Sequence, residues 1–347
     1  MREKFIEEFD SIWIDNLNGD KYKTGKTTPD GKPDPSVFST KWNREGIQVG
    51  TAIGLFVRKA DHTLTNSLHY RDFWGTKKLI AIAEATDNEP PYIEHEPKLS
   101  LGLTFFPSDS NEDYFAWPLL SELFPVSYPG VQTGRDSFLT SIDRESLVKR
   151  IEQYFDPAID HAGMKLIAPD VMKDSSRYNA REIREYLVKR GFGTGHFVLH
   201  AYRPFDLRWL YWEGETKLLD EKRSEYFPHV FDGNFWIAAV HHNRKDFDPP
   251  VALSQIGSRH LIERGANLFP LYLKRTKETL FDLDDSVAPN LSESGEKYLA
   301  NVAAEPSELF FHSVAVLHSP NYARENSDAL RQNFPRIPLP ANRDDLI

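Results

Sequence analysis

The first nine residues set Phe5, Ile6 and Phe9 on one stripe among charged side chains, which predicts a short amphipathic helix. Alternation follows, Ile12 and Ile14 against Trp13 and Asp15, and predicts a strand over Ser11–Leu17 closed by the turn signal Asn18-Gly19. From Asp20 to Glu45 the chain is rich in Lys, Thr, Gly, Pro and Asp and has nothing to bury. A loop of that length in a compact protein tends to be functional or disordered. The apolar run Ile47–Val57 predicts a buried strand, with glycines where another backbone comes close. Between Ala85 and about Ser137 the period disappears, and an irregular connection is expected. Leu147, Ile151 and Phe155 predict a helix over about Ile142–Tyr154. A second helix starts at Asn179, a cap with Glu182 three residues on, and stops at Gly191. Residues 196–212 and 234–240 read as aromatic-rich strands. Phe310, Val314 and Leu317 share a face of a helix over Ser307–Leu317, and Pro320 interrupts before another short one. No repeat of 20–50 residues is evident.

Composition narrows what such elements can do. The 347 residues leave room for two or three domains. No cysteine is present, which excludes disulfides, thiolate metal sites and thiol nucleophiles and fits a reducing compartment. With no apolar signal core and no run near membrane-spanning length, a soluble cytoplasmic protein is expected. The net charge of −10 argues against a protein that is basic all over. Between Lys173 and Arg275, however, 17 basic side chains face 13 acidic ones, which leaves −14 for the remainder. A modestly anion-facing module inside an acidic frame is the better description. The aromatic content of 13% suits either a packed core or a stacking surface.

Several short motifs invite a chemistry they do not support. Gly19 to Thr27 resembles a phosphate-binding loop using Lys26 and Thr27, but five residues intervene where four are required, and Pro29 and Pro33 follow where a helix must begin. Gly191-Phe-Gly193-Thr-Gly195 closes a helix and opens a strand, the reverse of a dinucleotide loop. Asn88-Glu-Pro-Pro-Tyr92 has one residue too many for the Asn-Pro-Pro-Tyr of amino-methylating enzymes. His241 with His242, His196 with His200, and Asp156 with Asp160 and His161 form no recognised three-ligand metal spacing. Glu213 and Glu215, among Trp209, Tyr211 and Trp212, suggest a glycosidase pair only if folding sets them 5–10 Å apart. A stronger cluster is Tyr202-Arg-Pro-Phe-Asp-Leu-Arg208-Trp-Leu-Tyr-Trp212, followed by Asn243-Arg244-Lys245 and Ser258-Arg259-His260. Arg and Asn read base edges, Arg and Lys anchor phosphates, and aromatics stack bases.

Longer stretches carry a family resemblance. Phe9-Asp-Ser-Ile-Trp-Ile-Asp-Asn-Leu-Asn-Gly-Asp, Lys26-Thr-Thr-Pro-Asp-Gly and Ile47 to Lys59 resemble the last strands of an N6-adenine DNA methyltransferase core. Tyr202-Arg-Pro-Phe-Asp-Leu-Arg-Trp-Leu-Tyr-Trp, Leu261-Ile-Glu-Arg-Gly-Ala-Asn-Leu-Phe-Pro-Leu, His312-Ser-Val-Ala-Val-Leu-His-Ser-Pro-Asn-Tyr and Asn333-Phe-Pro-Arg-Ile-Pro-Leu-Pro resemble the C-terminal specificity domain of Type ISP restriction–modification enzymes, related to Type IIG enzymes. The resemblance covers nearly the whole chain and is weakest from about 85 to 170.

What it implies is an α/β and α+β chain: trailing strands of a Rossmann-like methyltransferase sheet, then an α+β DNA target-recognition domain. The expected divisions are 1–80 for the methyltransferase elements, 81–170 for a connecting region and 171–347 for recognition. The implied function is sequence-specific recognition of double-stranded DNA within an adenine-N6 methyltransferase. Arg203, Arg208, Asn243, Arg244, Lys245 and Arg259 are the candidate contacts, chosen by residue type and clustering. No catalytic, cofactor-binding or metal residue is expected in this chain. The cofactor loop and a true Asn-Pro-Pro-Tyr are missing, so S-adenosylmethionine would serve the complete enzyme, and the chain reads as a fragment or split product, inactive without a methyltransferase half. Two alternatives are a nucleotide enzyme using Lys26 and Thr27 and an aromatic-rich carbohydrate-active protein.

Overall fold

Phe5, Ile6 and Phe9 do share one face: helix α1 (Arg2–Glu8) lays them beside the core formed by Ile12, Ile14, Leu68 and Tyr70. In this computed structural model every residue is described except 22–26, 65–66, 87–88, 109–111, 242–248, 263–264, 276–285 and 332. The chain divides into two compact units, Met1–Ser110 and Asn111–Ile347. No helix among the described residues is long and apolar enough to cross a membrane.

In the first unit, β1 (Ser11–Asn16) pairs antiparallel with β2 (Ala52–Val57) and parallel with β3 (Leu68–Asp72), and β4 (Ile93–His95) adds antiparallel to β3. The result is a mixed sheet of order β2-β1-β3-β4, and it carries the unit past residue 80. The buried strand expected over 47–57 is corrected in two respects. β2 begins only at Ala52, and Ile53 and Leu55 are 47% and 58% exposed, because they pair with Asp15 and Trp13 on the face of the sheet opposite the Ile12–Ile14 core. A Cβ on Gly54 would meet the Phe56 ring at 2.6 Å, so its neighbour is a side chain rather than a backbone.

The long excursion after Gly19 is pinned at one buried carboxylate. Asp34 accepts from the Gly19 amide at 2.8 Å and the Gly75 amide at 2.7 Å, and pairs with Lys78 Nζ at 2.8 Å. Lys78, the first residue of α2 (Lys78–Glu84), also donates to the Pro35 carbonyl. The ends of β1 and β3 and the start of α2 are thus tied to the middle of the loop. Thr27 bridges to Pro33 across a turn, with no helix after it. The phosphate-loop alternative therefore lacks its helix N-terminus, and Lys26 lies outside the described residues.

The second unit is mixed α/β in several small sheets. Its strands are β5 (Tyr128–Pro129), β6 (Thr140–Ser141), β7 (Phe197–Arg203), β8 (Asp206–Tyr211), β9 (Trp236–Ala239), β10 (Val251–Leu253), β11 (Ile256–Gly257) and β12 (Asn267–Pro270), followed by the pair β13 (Tyr272–Lys274) and β14 (Val287–Pro289). Two four-stranded sheets have the orders β10-β9-β12-β5 and β11-β7-β8-β6. The main core joins Leu147, Ile151 and Tyr154 to Tyr211, Trp236 and Leu268, so residues before 170 share a core with those after it.

The helices start where local chemistry asks. After the one-turn α3 (Asp136–Leu139), Asp143 caps α4 (Arg144–Phe155) by accepting from the Ser146 amide. Asn179 caps α5 (Ala180–Arg190) by accepting from the Glu182 amide, and Gly191 ends it at φ +98°, a conformation that costs glycine little. Toward the C-terminus lie α6 (Glu293–Val302), α7 (Pro306–Leu317) and α8 (Pro320–Glu325), the last two opened by proline in the first turn.

Candidate nucleic-acid interface

The β7–β8 hairpin runs in register from Phe197↔Tyr211 to Arg203↔Asp206, with an irregularity near Tyr202, and Pro204-Phe205 connects the strands. Its flanking strands stop short of the tip: β11 reaches only His200 and Ala201, and β6 only Trp209 and Leu210. Among the described residues no strand lies beside the hairpin from Tyr202 to Arg208.

Tyr202 organises this tip. The Arg208 and Arg203 guanidinium carbons sit 4.0 Å and 4.4 Å from its ring centroid, in cation–π range. Its hydroxyl donates to Asp136 Oδ2 at 2.8 Å, and Asp136 Oδ1 accepts from the Thr133 hydroxyl. The hydrogen bond to a carboxylate raises the Tyr202 phenol above its ordinary value. Arg208 also grips Asp206 bidentately, with contacts of 2.7–3.1 Å, which holds that carboxyl below the usual range. Arg203 donates only to the Tyr202 carbonyl, is exposed, and has no carboxylate in ion-pair range among the described residues.

His200 lies directly opposite Arg208 in the ladder and is 1% exposed. Neither ring nitrogen has a hydrogen-bond partner. Burial pushes its pKa down to about 4, with the Asp136 carboxylate opposing that effect, so the ring is neutral at pH 7.

The segment that leads to Asp136 threads past the end of β11 and the turn that supplies Arg259. The Val131 amide donates to the Gly257 carbonyl and the Arg259 amide to the Val131 carbonyl, both at 2.9 Å. Gly130 makes this possible, since a Cβ there would fall 2.4 Å from the Arg259 nitrogen and the Ser258 carbonyl carbon. A cleft of about 310 Å³ opens here, lined among others by Thr133, Asp136, Arg203, Ser258 and His260. Arg259 is half-buried beside it, and its Nε has no hydrogen-bond partner.

Of the six expected contacts, Arg203 and Arg208 thus stand together on one ring, and Arg259 sits in the turn after β11, between the cleft residues Ser258 and His260. Asn243, Arg244 and Lys245 lie outside the described residues. Sequence reasoning missed Asp136 and Thr133, for which no local signal exists.

The rejected motifs fall into structural roles. Glu213 is fully buried and Glu215 exposed, and both pair with Arg190, at 2.7 Å and 3.3 Å. The pair is an ion-paired anchor for the end of α5, which gives the carbohydrate alternative no support. His196 Nδ1 bonds to the Trp212 carbonyl, and no group able to hold a metal occurs among the described residues. Tyr92, beside the out-of-step Pro-Pro, donates its hydroxyl to Asp15, which also binds Arg71.

A family model described as the Type ISP C-terminal specificity domain matches residues 122–346. The chain belongs to that family. The Type ISP match takes in Asp136, the whole β7–β8 hairpin and Arg259. Solved structures agree on the fold. The first, described as an ATP-dependent Type ISP restriction–modification enzyme, LlaBIII, bound to DNA, is 19% identical with a TM-score of 0.66 over 100% of this chain. A DrdV–DNA complex gives 18% and 0.64 over 99% of the chain, and a nuclease-deletion mutant of the Type ISP enzyme LlaGI with a DNA substrate mimic gives 19% and 0.60 over 99%. The chain spans 23%, 35% and 32% of those three proteins respectively. No match is found among curated proteins.

Proposed function

We propose that this chain supplies DNA target recognition within an adenine-N6 methyltransferase of the Type ISP restriction–modification class. The observation that carries this reading is the specificity-domain match over 122–346. The proteins it resembles in fold are described with DNA bound. Double-stranded DNA is the partner in this reading. The exposed Arg203 lines the cleft, the half-buried Arg259 lies in sequence between two of its lining residues, Ser258 and His260, and cations so placed suit a polyanion. Arg208 shapes the tip through Asp206 and Tyr202. Asn243, Arg244 and Lys245 remain candidates by residue type. The first unit acts as the trailing strands of the methyltransferase sheet, and the methyltransferase half comes from the remainder of the polypeptide or from a separate chain. S-adenosylmethionine serves that complete enzyme: adenine N6 cannot be reached inside a stacked duplex, so base flipping and methyl transfer belong there, and site recognition belongs here.

Selection of bound duplexes from a random pool tests the reading. A common site should emerge, and affinity for it should fall with salt by nearly one log unit per tenfold salt for each phosphate neutralised. Replacing Arg203 by Ala should flatten that slope by about one unit if it meets a phosphate, and relax one base position if it meets a base. Enrichment of no site, or salt-insensitive retention, would overturn the reading. Calorimetry with S-adenosylmethionine should show no tight stoichiometric site on this chain alone. Finding one would relocate the cofactor pocket.

A further inference from the structure

We infer that Phe205, at the tip of the β7–β8 hairpin, is an apolar wedge that enters the base stack of the recognised duplex. This inference rests on the DNA-recognition reading and assigns one residue a mechanical part in it. Phe205 is fully exposed, although phenylalanine is ordinarily a core side chain. Its backbone has φ +62°, a region that bulky L-residues avoid because Cβ meets the following carbonyl. Proline followed by a positive φ is the pattern of a type II turn, whose second position normally takes glycine. The fold therefore presents an aromatic ring to solvent at a position where glycine would be less strained. Strain held at one exposed point, with no burial to offset it, points to a use outside the free chain.

The surroundings say what that use is. Beyond Tyr202 and Arg208 the hairpin has no flanking strand among the described residues, so its tip is narrow. β-Ribbons are used in either groove of DNA, and apolar side chains inserted from the minor groove are known to unstack base steps as wedges. Two residues before Phe205 stands Arg203, exposed and without a carboxylate in range among the described residues, a cation for the phosphate beside an opened step. Behind them, the Tyr202–Asp136 hydrogen bond and the Arg208–Asp206 pair brace the tip. An unstacked base can be met by an aromatic ring with little regard to sequence. A protein partner would be offered Phe205 with only Leu207 and Leu199 exposed along the same hairpin, a strip narrower than the wide apolar centre in which protein interfaces place aromatics.

The test uses the whole chain and a duplex enriched by the wild-type protein, with 2-aminopurine substituted at successive positions. Wild type should raise 2-aminopurine fluorescence at one step, the mark of unstacking. Phe205→Ala should lose that signal and bind at least tenfold more weakly, while keeping the same salt slope. Phe205→Trp should keep the signal. Phe205→Gly should lose it while its thermal midpoint stays level or rises, because the turn strain is relieved. That opposite movement of stability and binding separates a wedge from a folding element. Phe205→Ala binding within twofold of wild type with the fluorescence step intact would overturn the wedge alone. A wild-type protein that enriches no duplex would overturn the recognition reading, and the wedge with it.

Discussion

The Tyr202 hydroxyl donates to Asp136 Oδ2 at 2.8 Å, joining residues 66 positions apart in the chain. The bond sets the angle of a ring on which two guanidinium groups rest, so the arginines at the hairpin tip are placed by a residue on a different element. Removing the hydroxyl alone, as Tyr202→Phe, should lower unfolding stability by about 1–2 kcal/mol, as expected for a hydrogen bond to a charged group. Tyr202→Ala should cost more, since the stack goes too. Urea denaturation compares the two, and equal midpoints for Phe and wild type would show that the bond does not form in solution.

His200 makes stability depend on pH in a definite direction. Its folded pKa of about 4 lies below the ordinary 6.5. Between those values the unfolded chain takes up a proton that the folded chain refuses, so stability falls as pH drops from about 7 to about 4. The full loss is about 3 kcal/mol, from 1.36 kcal/mol per pKa unit. His200→Leu removes both the titration and two unpartnered buried nitrogens, so its contribution should be flat across that window, with stability at pH 5 equal to or above wild type. Thermal midpoints from pH 4 to 7 give the answer. A His200→Leu profile as steep as wild type would assign the acid sensitivity elsewhere.

Gly130 is a contact rather than a hinge. Its missing Cβ would fall 2.4 Å from the backbone of Ser258 and Arg259, and neither strand can yield without breaking the 2.9 Å bonds on either side. Gly130→Ala should destabilise the second unit by about 3 kcal/mol, at the upper end of overpacking costs. Amide exchange at Val131 and Arg259 should accelerate most. A loss below about 0.5 kcal/mol would mean that the segment lies farther from its neighbour.

The buried Asp34–Lys78 pair anchors the first unit. Asp34→Ala leaves the buried Lys78 without its carboxylate partner, with the Pro35 carbonyl as its recorded acceptor, and should cost about 3–5 kcal/mol. The effect should stay local: exchange protection should drop at Gly19, Gly75 and the loop between, and hold at Leu147 or Trp236. Uniform loss across both units would show that they unfold as one.

Some of this was legible in the sequence. The Asn179 cap with Gly191, the helix over about Ile142–Tyr154, the alternation of β1 and the two helices near the C-terminus depend on residues within a few positions, and one stretch of sequence specifies them. The loop after Asn18-Gly19 was legible as a loop, since its composition offers nothing to bury. The family, too, could be read from long motifs in order. Periodicity, however, could not show that Ile47–Val57 would be covered on one face only: the same apolar run suits a strand buried on both faces, and Ile53 and Leu55 are exposed because they lie on the face away from the Ile12–Ile14 core.

The candidate interface divides in the same way. Sequence by itself determined that arginines and aromatics crowd the stretch from Tyr202 to Trp212, because composition and spacing are local. Tertiary structure alone decided that Arg208 is held by Asp206 while Arg203 is left open, that Asp136 reaches Tyr202, and that Gly130 lies against Ser258. It also turned the buried Glu213 and the exposed Glu215 into a shared anchor for Arg190. Each of those outcomes depends on which distant segments become neighbours. That choice is made by packing the whole core, and no window of the chain contains it.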